Sequence, residues 1–308
     1  MLLIGEPGTI DDMVADAAER GYRASVRLIR DWSEQGLLDR PQKRPTGKGH
    51  GSAPAIYSAN QRNLLLTLLH HRQGNHIRRL ARIPVAIWMY WGEEYVPLRQ
   101  ARLALMTWLG DPRSSKQAAR DAARAILGQI DSPSATSQAR RELVAVLTDA
   151  NYTGTPDFPR IEQAIRAVFE PGSRQIRRVA GHPDAPMMTE SMIGVMKARL
   201  AAVSALMADQ VTDEALLQAR DAHLFAYADY AANQPFLAAF VSASIPQLYE
   251  PVTAETALHE CCGHLLSTIG LELTYPAEAE RFKSARAFLR RPNAATFGFV
   301  APADPAGT

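Results

Sequence analysis

Apolar residues recur at helical spacing along most of the chain. Near the N-terminus Ile10, Met13, Val14 and Ala17 line one side of a run that Thr9 opens. The Thr9 hydroxyl suits an N-cap, and Asp11 and Asp12 fall where the helix dipole favours negative charge. Past a turn at Gly21 the pattern returns with Val26, Leu28, Ile29 and Trp32. Ser25 caps this second helix, Gly36 stops it, and Leu37 and Leu38 fold back onto it. The periodicity then breaks. Between Asp39 and Tyr57 stand three glycines and three prolines, which exclude a helix and suit a hairpin with a long, mobile tip. Ser58 opens a helix over 59–72 whose core side is Leu64, Leu65, Leu68 and Leu69, and a short basic helix follows over 76–82.

Residues 84–109 are rich in Trp and Tyr and read as one or two helices interrupted near Pro97. In the second half Leu98, Ala101, Leu105 and Trp108 form a stripe, which either pairs two subunits or fills the core of one chain. Further helices are expected over 116–129, 136–150, 158–169, 189–209, 212–233, 235–249, 254–271 and 277–290, most opened by Ser, Thr or Pro. No strand run stands out beyond the hairpin. The expected fold is therefore mainly α, with a small β hairpin near the N-terminus. It divides into a module over 1–83, a helical linker or dimerisation region over 84–150, an all-α C-terminal domain over 151–291 and a flexible Pro/Ala/Gly-rich tail over 292–308. The stretch 151–159, with Gly154 and two prolines, is the clearest boundary, and 171–186 is basic and irregular.

Charge changes this picture. The 308 residues carry a net charge of only +2. From Arg20 to Arg82, however, eleven arginines and two lysines face only Asp31, Glu34 and Asp39, so the remainder is acidic on balance. A basic module on an acidic body is the layout of a nucleic-acid binder with a separate sensing or assembly part. The two cysteines, Cys261 and Cys262, are adjacent, which indicates no disulfide scaffold and fits a reducing cytoplasm. No signal-peptide pattern opens the chain, and no run of about 18 apolar residues predicts a membrane helix.

Two short helices, a tight turn and arginines on the second helix are what a helix-turn-helix needs to enter a DNA major groove. Residues 9–82 resemble the DNA-binding domain of the MerR family. The match lies in Thr9-Ile10, in Ser25-Val26-Arg27-Leu28-Ile29-Arg30-Asp31-Trp32 followed by Gly36-Leu37-Leu38, and in a Pro- and Gly-rich wing ending at Tyr57 with a helix after it. The resemblance implies a winged helix-turn-helix in which Arg27 meets base edges. It also puts Asp31 where the family carries a tyrosine that contacts phosphate, which a carboxylate would repel. An arginine fork matches guanine O6 and N7, so Arg27 is the prime candidate for base readout. Arg23, Ser25 and Arg30 join it on the second helix. Lys43, Arg44, Lys48 and His50 on the hairpin would contact phosphate, and Arg62 would extend the footprint.

Two other clusters carry chemistry. His259-Glu260-Cys261-Cys262-Gly263-His264 invites a metal, but the histidines are five apart, which turns their rings about 140° from each other on a helix. His223, Phe225, Tyr227, Asp229 and Tyr230 crowd one helix near Phe236 and Phe240, as a small-molecule pocket or as packed core. A phosphate-binding glycine loop, a serine elbow and paired catalytic acids are all missing, so neither enzyme nor cofactor is expected. The expected function is a cytoplasmic, sequence-specific transcription regulator, dimeric on double-stranded DNA, with a small-molecule effector as a further expected partner. The alternative is a DNA-architectural, excision or partition factor using the same module.

Overall fold

Thr9 and Asp12 cap the first helix reciprocally. The Asp12 carboxylate accepts from the Thr9 amide at 2.7 Å, and the Thr9 hydroxyl accepts from the Asp12 amide at 3.3 Å. This is α1 (Ile10–Glu19), with Met13 and Ala17 buried. Ser25 caps α2 (Val26–Glu34) by accepting from the Leu28 amide, and Ile29, Trp32 and Ser33 face inward. The turn after α2 passes through Gly36 at φ +72°, and the Leu37 and Leu38 amides both donate back to the Trp32 carbonyl. The hairpin pairs β1 (Gln42–Pro45) with β2 (Ser52–Ile56) in antiparallel register, Arg44 opposite Ala53, with an irregularity between Gln42 and Arg44. Three helices follow at or near the expected places: α3 (Ala59–His71), α4 (Ile77–Leu80) and α5 (Arg82–Tyr90). Then α6 (Leu98–Leu109) begins after Pro97.

The computed structural model describes residues 4–45, 52–131, 134–170, 177–178, 186–187, 189–239 and 251–299. Its described residues are mainly helical, and the chain divides into two compact units, 1–110 with 293–308, and 111–292. The division therefore falls after Gly110, not at residue 83 or at 151. Residues 84–110 belong with the first unit because α5 is buried along its length from Ile83 to Tyr90, and α6 packs on it. On α6, Leu98, Ala101 and Leu105 are buried by their own chain. Trp88 and Tyr90 are buried as well, while Trp108, the last residue of the stripe, is half-buried.

The C-terminal stretch corrects a second expectation. Asn293 and Thr296 form a capping box on a short 3-10 turn, and Phe297 and Phe299 meet Tyr90 edge-on at 5.7 and 5.3 Å between ring centroids. Residues 293–299 thus complete the first unit; 300–308 lie outside the described residues. Replacing both Phe297 and Phe299 by Ala is expected to destabilise this unit by roughly 2–4 kcal/mol, from two half-buried rings and their edge contacts. Thermal denaturation reads this directly. A double variant that melts with the wild type would show that the strap adds nothing.

In the second unit α7 (Lys116–Ile130), α8 (Ser137–Thr153) and α9 (Phe158–Phe169) share one core with α10 (Thr189–Met207). Leu143, Val146 and Leu147 meet Ile161, Ile165, Met192 and Met196 there. The stretch read as a boundary is a short surface connection between α8 and α9, which share that core, and it opens on Gly154 in the left-handed region. Within 171–186, read as irregular, Arg177–Arg178 pairs with Pro186–Met187 as a two-residue antiparallel ladder. The unit ends with α11 (Asp213–Ala239), α12 (Ala254–Thr274) and α13 (Pro276–Arg286). Two helices were expected where α11 runs unbroken through Pro235. That proline is exposed, so water can satisfy the carbonyl it leaves without a donor. No described helix is long and apolar enough to cross a membrane.

Candidate nucleic-acid interface

The 3.6-residue period of α2 decides what it presents. With Ile29 and Trp32 turned inward, Arg27, Arg30, Asp31 and Glu34 lie on the open side, all exposed. The Arg27 side chain is 91% exposed, and its Nε stands 3.8 Å from an Asp31 carboxylate oxygen. Arg23 is exposed just before the cap. The Ser25 oxygen accepts from the Leu28 amide at 3.2 Å, which leaves its hydroxyl proton to donate outward.

These side chains border a shallow groove of about 370 Å³ at the N-terminal end of α2. Arg23, Ser25, Arg27, Leu28 and Asp31 line it, together with Arg72 from the end of α3. Arg72 is brought here by the fold and not by any local pattern of the sequence. Its guanidinium lies 5.9 Å from the centre of the Trp32 ring, a cation–π contact that brings the end of α3 up to the back of α2. Three guanidinium groups and one carboxylate thus surround the groove, and the amide end of α2 adds partial positive charge.

The remaining candidates separate. Lys43 and Arg44 are exposed on β1. Lys48 and His50 lie outside the described residues. Arg62 faces inward: its Nε and one terminal nitrogen both donate to the Asp16 carboxylate at 2.7 Å, and the other terminal nitrogen donates to the Glu6 carbonyl at 2.8 Å. Those bonds to Asp16 hold its guanidinium above the usual arginine range. Arg62 ties α3 to α1 and has no fork left for phosphate, which removes it from the interface.

The α2 framework is fixed from behind by buried amides. The Gln61 carbonyl oxygen accepts from the Asp39 amide at 2.7 Å, and its nitrogen donates to Gln100 at 2.8 Å. Gln100 in turn donates to the Leu37 carbonyl at 3.0 Å. Arg99 pairs with the Asp39 carboxylate, 2.9 Å at Nε, and Thr107 donates to the Gln35 carbonyl at 2.8 Å. The turn after α2 is thereby bonded to α3 and α6 through side chains that do not reach the groove.

In the second unit the two other clusters merge. His223 and Tyr227 of α11 pack ring on ring with His264 of α12, at centroid distances of 4.8 to 5.6 Å, all essentially buried. Glu260 approaches the His264 Nε2 at 3.4 Å, and Cys261 and Cys262 are fully buried. His259 is exposed, on another side of α12 from His264. Phe225 instead lies under Arg286, and Phe236 is exposed. Beside this cluster Arg199 donates to the Ser267 hydroxyl at 2.8 Å, and burial pushes its guanidinium down to about 10. Among the described residues no three His, Cys, Asp or Glu side chains converge as a metal site.

No family model, curated protein or solved structure matches this chain.

Proposed function

We propose that the N-terminal unit is a winged helix-turn-helix of the MerR type and that the protein is a cytoplasmic, sequence-specific transcription regulator of double-stranded DNA. In this reading α1 and α2 are the helix-turn-helix, α2 enters the major groove and the β1–β2 hairpin is the wing. One observation carries it. Arg27 extends from the first turn of α2 almost wholly exposed, flanked by Arg23 and Arg72, on a helix whose other side is locked into the core. An exposed guanidinium on a rigid helix is what bidentate guanine readout requires. Asp31 sits one turn further along and draws on the same guanidinium, so its carboxylate is turned to Arg27 and away from a flanking phosphate. Two copies of the chain would place two α2 helices on the half-sites of one operator. The second unit would serve as the sensing or assembly part, with the His223–Tyr227–His264 cluster as the place to look for a small-molecule effector.

Selection from a random duplex library followed by titration at several salt concentrations tests this. Arg27→Ala is expected to reduce discrimination at one base pair per half-site by about 5- to 150-fold, the 1–3 kcal/mol of a bidentate contact. Lys43→Ala is expected to weaken all duplexes alike and to flatten the salt slope by about 0.9. An Arg27→Ala variant with the wild-type base preference would overturn the assignment of α2 as the reading helix.

A further inference from the structure

The groove at the N-terminal end of α2 holds a carboxylate among its cations. Asp31 lines it beside Arg23, Arg27 and Arg72, whereas Arg30 and Glu34, exposed on the same helix, are not among its lining residues. A carboxylate facing DNA repels the phosphates. That repulsion is offset where the nucleic acid offers the carboxylate a hydrogen-bond donor, and such donors sit on base edges and not on the backbone.

The geometry leaves Asp31 able to meet one. It stands four residues after Arg27, so the two share the open side of α2, about 6 Å apart along its axis. Contact between them is partial. The Arg27 Nε lies 3.8 Å from Asp31 Oδ2, beyond hydrogen-bonding distance, and the side chains are 91% and 54% exposed. An exposed pair of this kind, with the cation on the N-terminal side, is weak and yields readily to a better partner. The approach is also made at Nε. The two terminal nitrogens of Arg27 therefore remain as the fork for guanine O6 and N7, while the Asp31 carboxylate stays open towards the groove.

The major groove offers two kinds of donor, the N4 amino group of cytosine and the N6 amino group of adenine. An ionised carboxylate only accepts. Adenine sets its N7 acceptor next to N6, where it faces the second carboxylate oxygen unfavourably; cytosine has no acceptor on its own major-groove edge. Guanine and thymine present O6, N7 and O4, all acceptors, and are refused. We propose that Asp31 is a second base-reading residue of α2, accepting from the N4 amino group of a cytosine near the guanine that Arg27 reads. This assignment rests on α2 being the reading helix. Base pairs rise by about 3.4 Å, so the roughly 6 Å between the two residues places the cytosine one or two base pairs from that guanine. The guanidinium selects by its two donors, the carboxylate by accepting from one base and repelling the others.

Selection from a random duplex library with the full chain tests this, using Asp31→Asn and Glu34→Gln. Both changes remove one negative charge from an exposed position of α2, so both variants should fold and bind all duplexes somewhat more tightly. Only Asp31→Asn should move the base preference. The wild type is expected to favour cytosine at its position by about tenfold, the effect of one mismatched base pair. In Asp31→Asn the side-chain amide matches adenine N6 and N7, so adenine becomes the preferred base there while the Arg27-dependent guanine stays. A cytosine preference that survives Asp31→Asn, or the same switch in Glu34→Gln, would overturn the proposal. So would relaxed guanine selection in Asp31→Asn with the neighbouring positions untouched, since Asp31 would then only steady Arg27. A wild type that selects an Arg27-dependent guanine and no cytosine within two base pairs of it sinks this inference alone. One that selects no sequence at all sinks the reading of α2 with it.

Discussion

Gly36→Ala is expected to destabilise the N-terminal unit by roughly 3–5 kcal/mol, whereas the same change at Gly21 costs only about 1–2 kcal/mol. Both glycines have φ near +75°, where a Cβ crowds the following carbonyl oxygen. They differ in what surrounds them. A Cβ at Gly21 would meet nothing within 4 Å. At Gly36 it would stand 2.5 Å from the Ala104 backbone nitrogen and 2.8 Å from the Leu103 carbonyl carbon. Those atoms belong to α6 and cannot rotate away as a side chain would. To relieve the clash α6 must withdraw, and withdrawal strains the Gln100–Leu37 and Thr107–Gln35 bonds that hold the turn. Each buried polar group left without its partner adds about 1–3 kcal/mol. The turn also sets the angle at which α2 leaves the core, so the proposed DNA binding should weaken with stability. Thermal denaturation of the two variants side by side is the measurement, with a fall of roughly 10–20 °C expected for Gly36→Ala. Equal melting of both variants would mean that α6 yields freely at this contact.

The local parts of this architecture were legible in the sequence. Thr9, Ser25 and Ser58 each accept an amide three residues on, as side chains of that type do at helix starts, and the helices begin where those caps predict. The hairpin followed from its glycines and prolines. The break between α5 and α6 followed from Pro97, whose ring suits the residue before a helix. What escaped depends on partners far along the chain. Arg62 reads as one more cation of a basic module until Asp16, 46 residues earlier, is seen to occupy its fork. The C-terminal residues read as a mobile tail by composition, yet Phe297 and Phe299 find Tyr90 some two hundred residues back. Gly154 and its neighbouring prolines mark a turn equally well between domains and within one. The core shared by α8, α9 and α10 decides the matter, and no local signal reports it.

The candidate interface divides in the same way. Arg27 and Arg30 were identifiable because helical periodicity alone turns them outward once Ile29 and Trp32 are assigned to the core, and Arg23 because it stands just before the cap. Arg72 was not, since its place beside α2 depends on how α3 docks. Its one available signal was its position at the C-terminal end of α3, where a cation suits the helix dipole. Asp31 looked anomalous as a phosphate-facing residue. Beside Arg27 it has a definite neighbour, and a carboxylate in a cationic groove lowers attraction to phosphate in general without removing the guanidinium that reads a base. In the second unit the tyrosine and histidine cluster was foreseen as either pocket or core, and ring-on-ring packing at van der Waals distance is what joins α11 to α12.

The second unit turns on a glycine as well, with a sharper consequence. Gly270→Ala is expected to cost 3 kcal/mol or more, although alanine is the better helix former by about 1 kcal/mol. The control is Gly128 in α7, also helical, where a Cβ would meet nothing within 4 Å; Gly128→Ala should stabilise by up to about 1 kcal/mol. At Gly270 the added carbon would fall within overlap distance of the Ala198 carbonyl, against its oxygen and carbon both. This is where α12 crosses α10 backbone to backbone, and Ala202 and Ala205 continue the small-residue side of α10. Separating the helices enough to admit a methyl group also pulls Arg199 from Ser267, which leaves a buried guanidinium without that partner. Close packing gives the crossing no slack to absorb this. Opposite shifts in the melting of Gly128→Ala and Gly270→Ala, measured on the full chain, are therefore the expected result. A Gly270→Ala variant as stable as the wild type would show that α10 and α12 do not meet at these two residues.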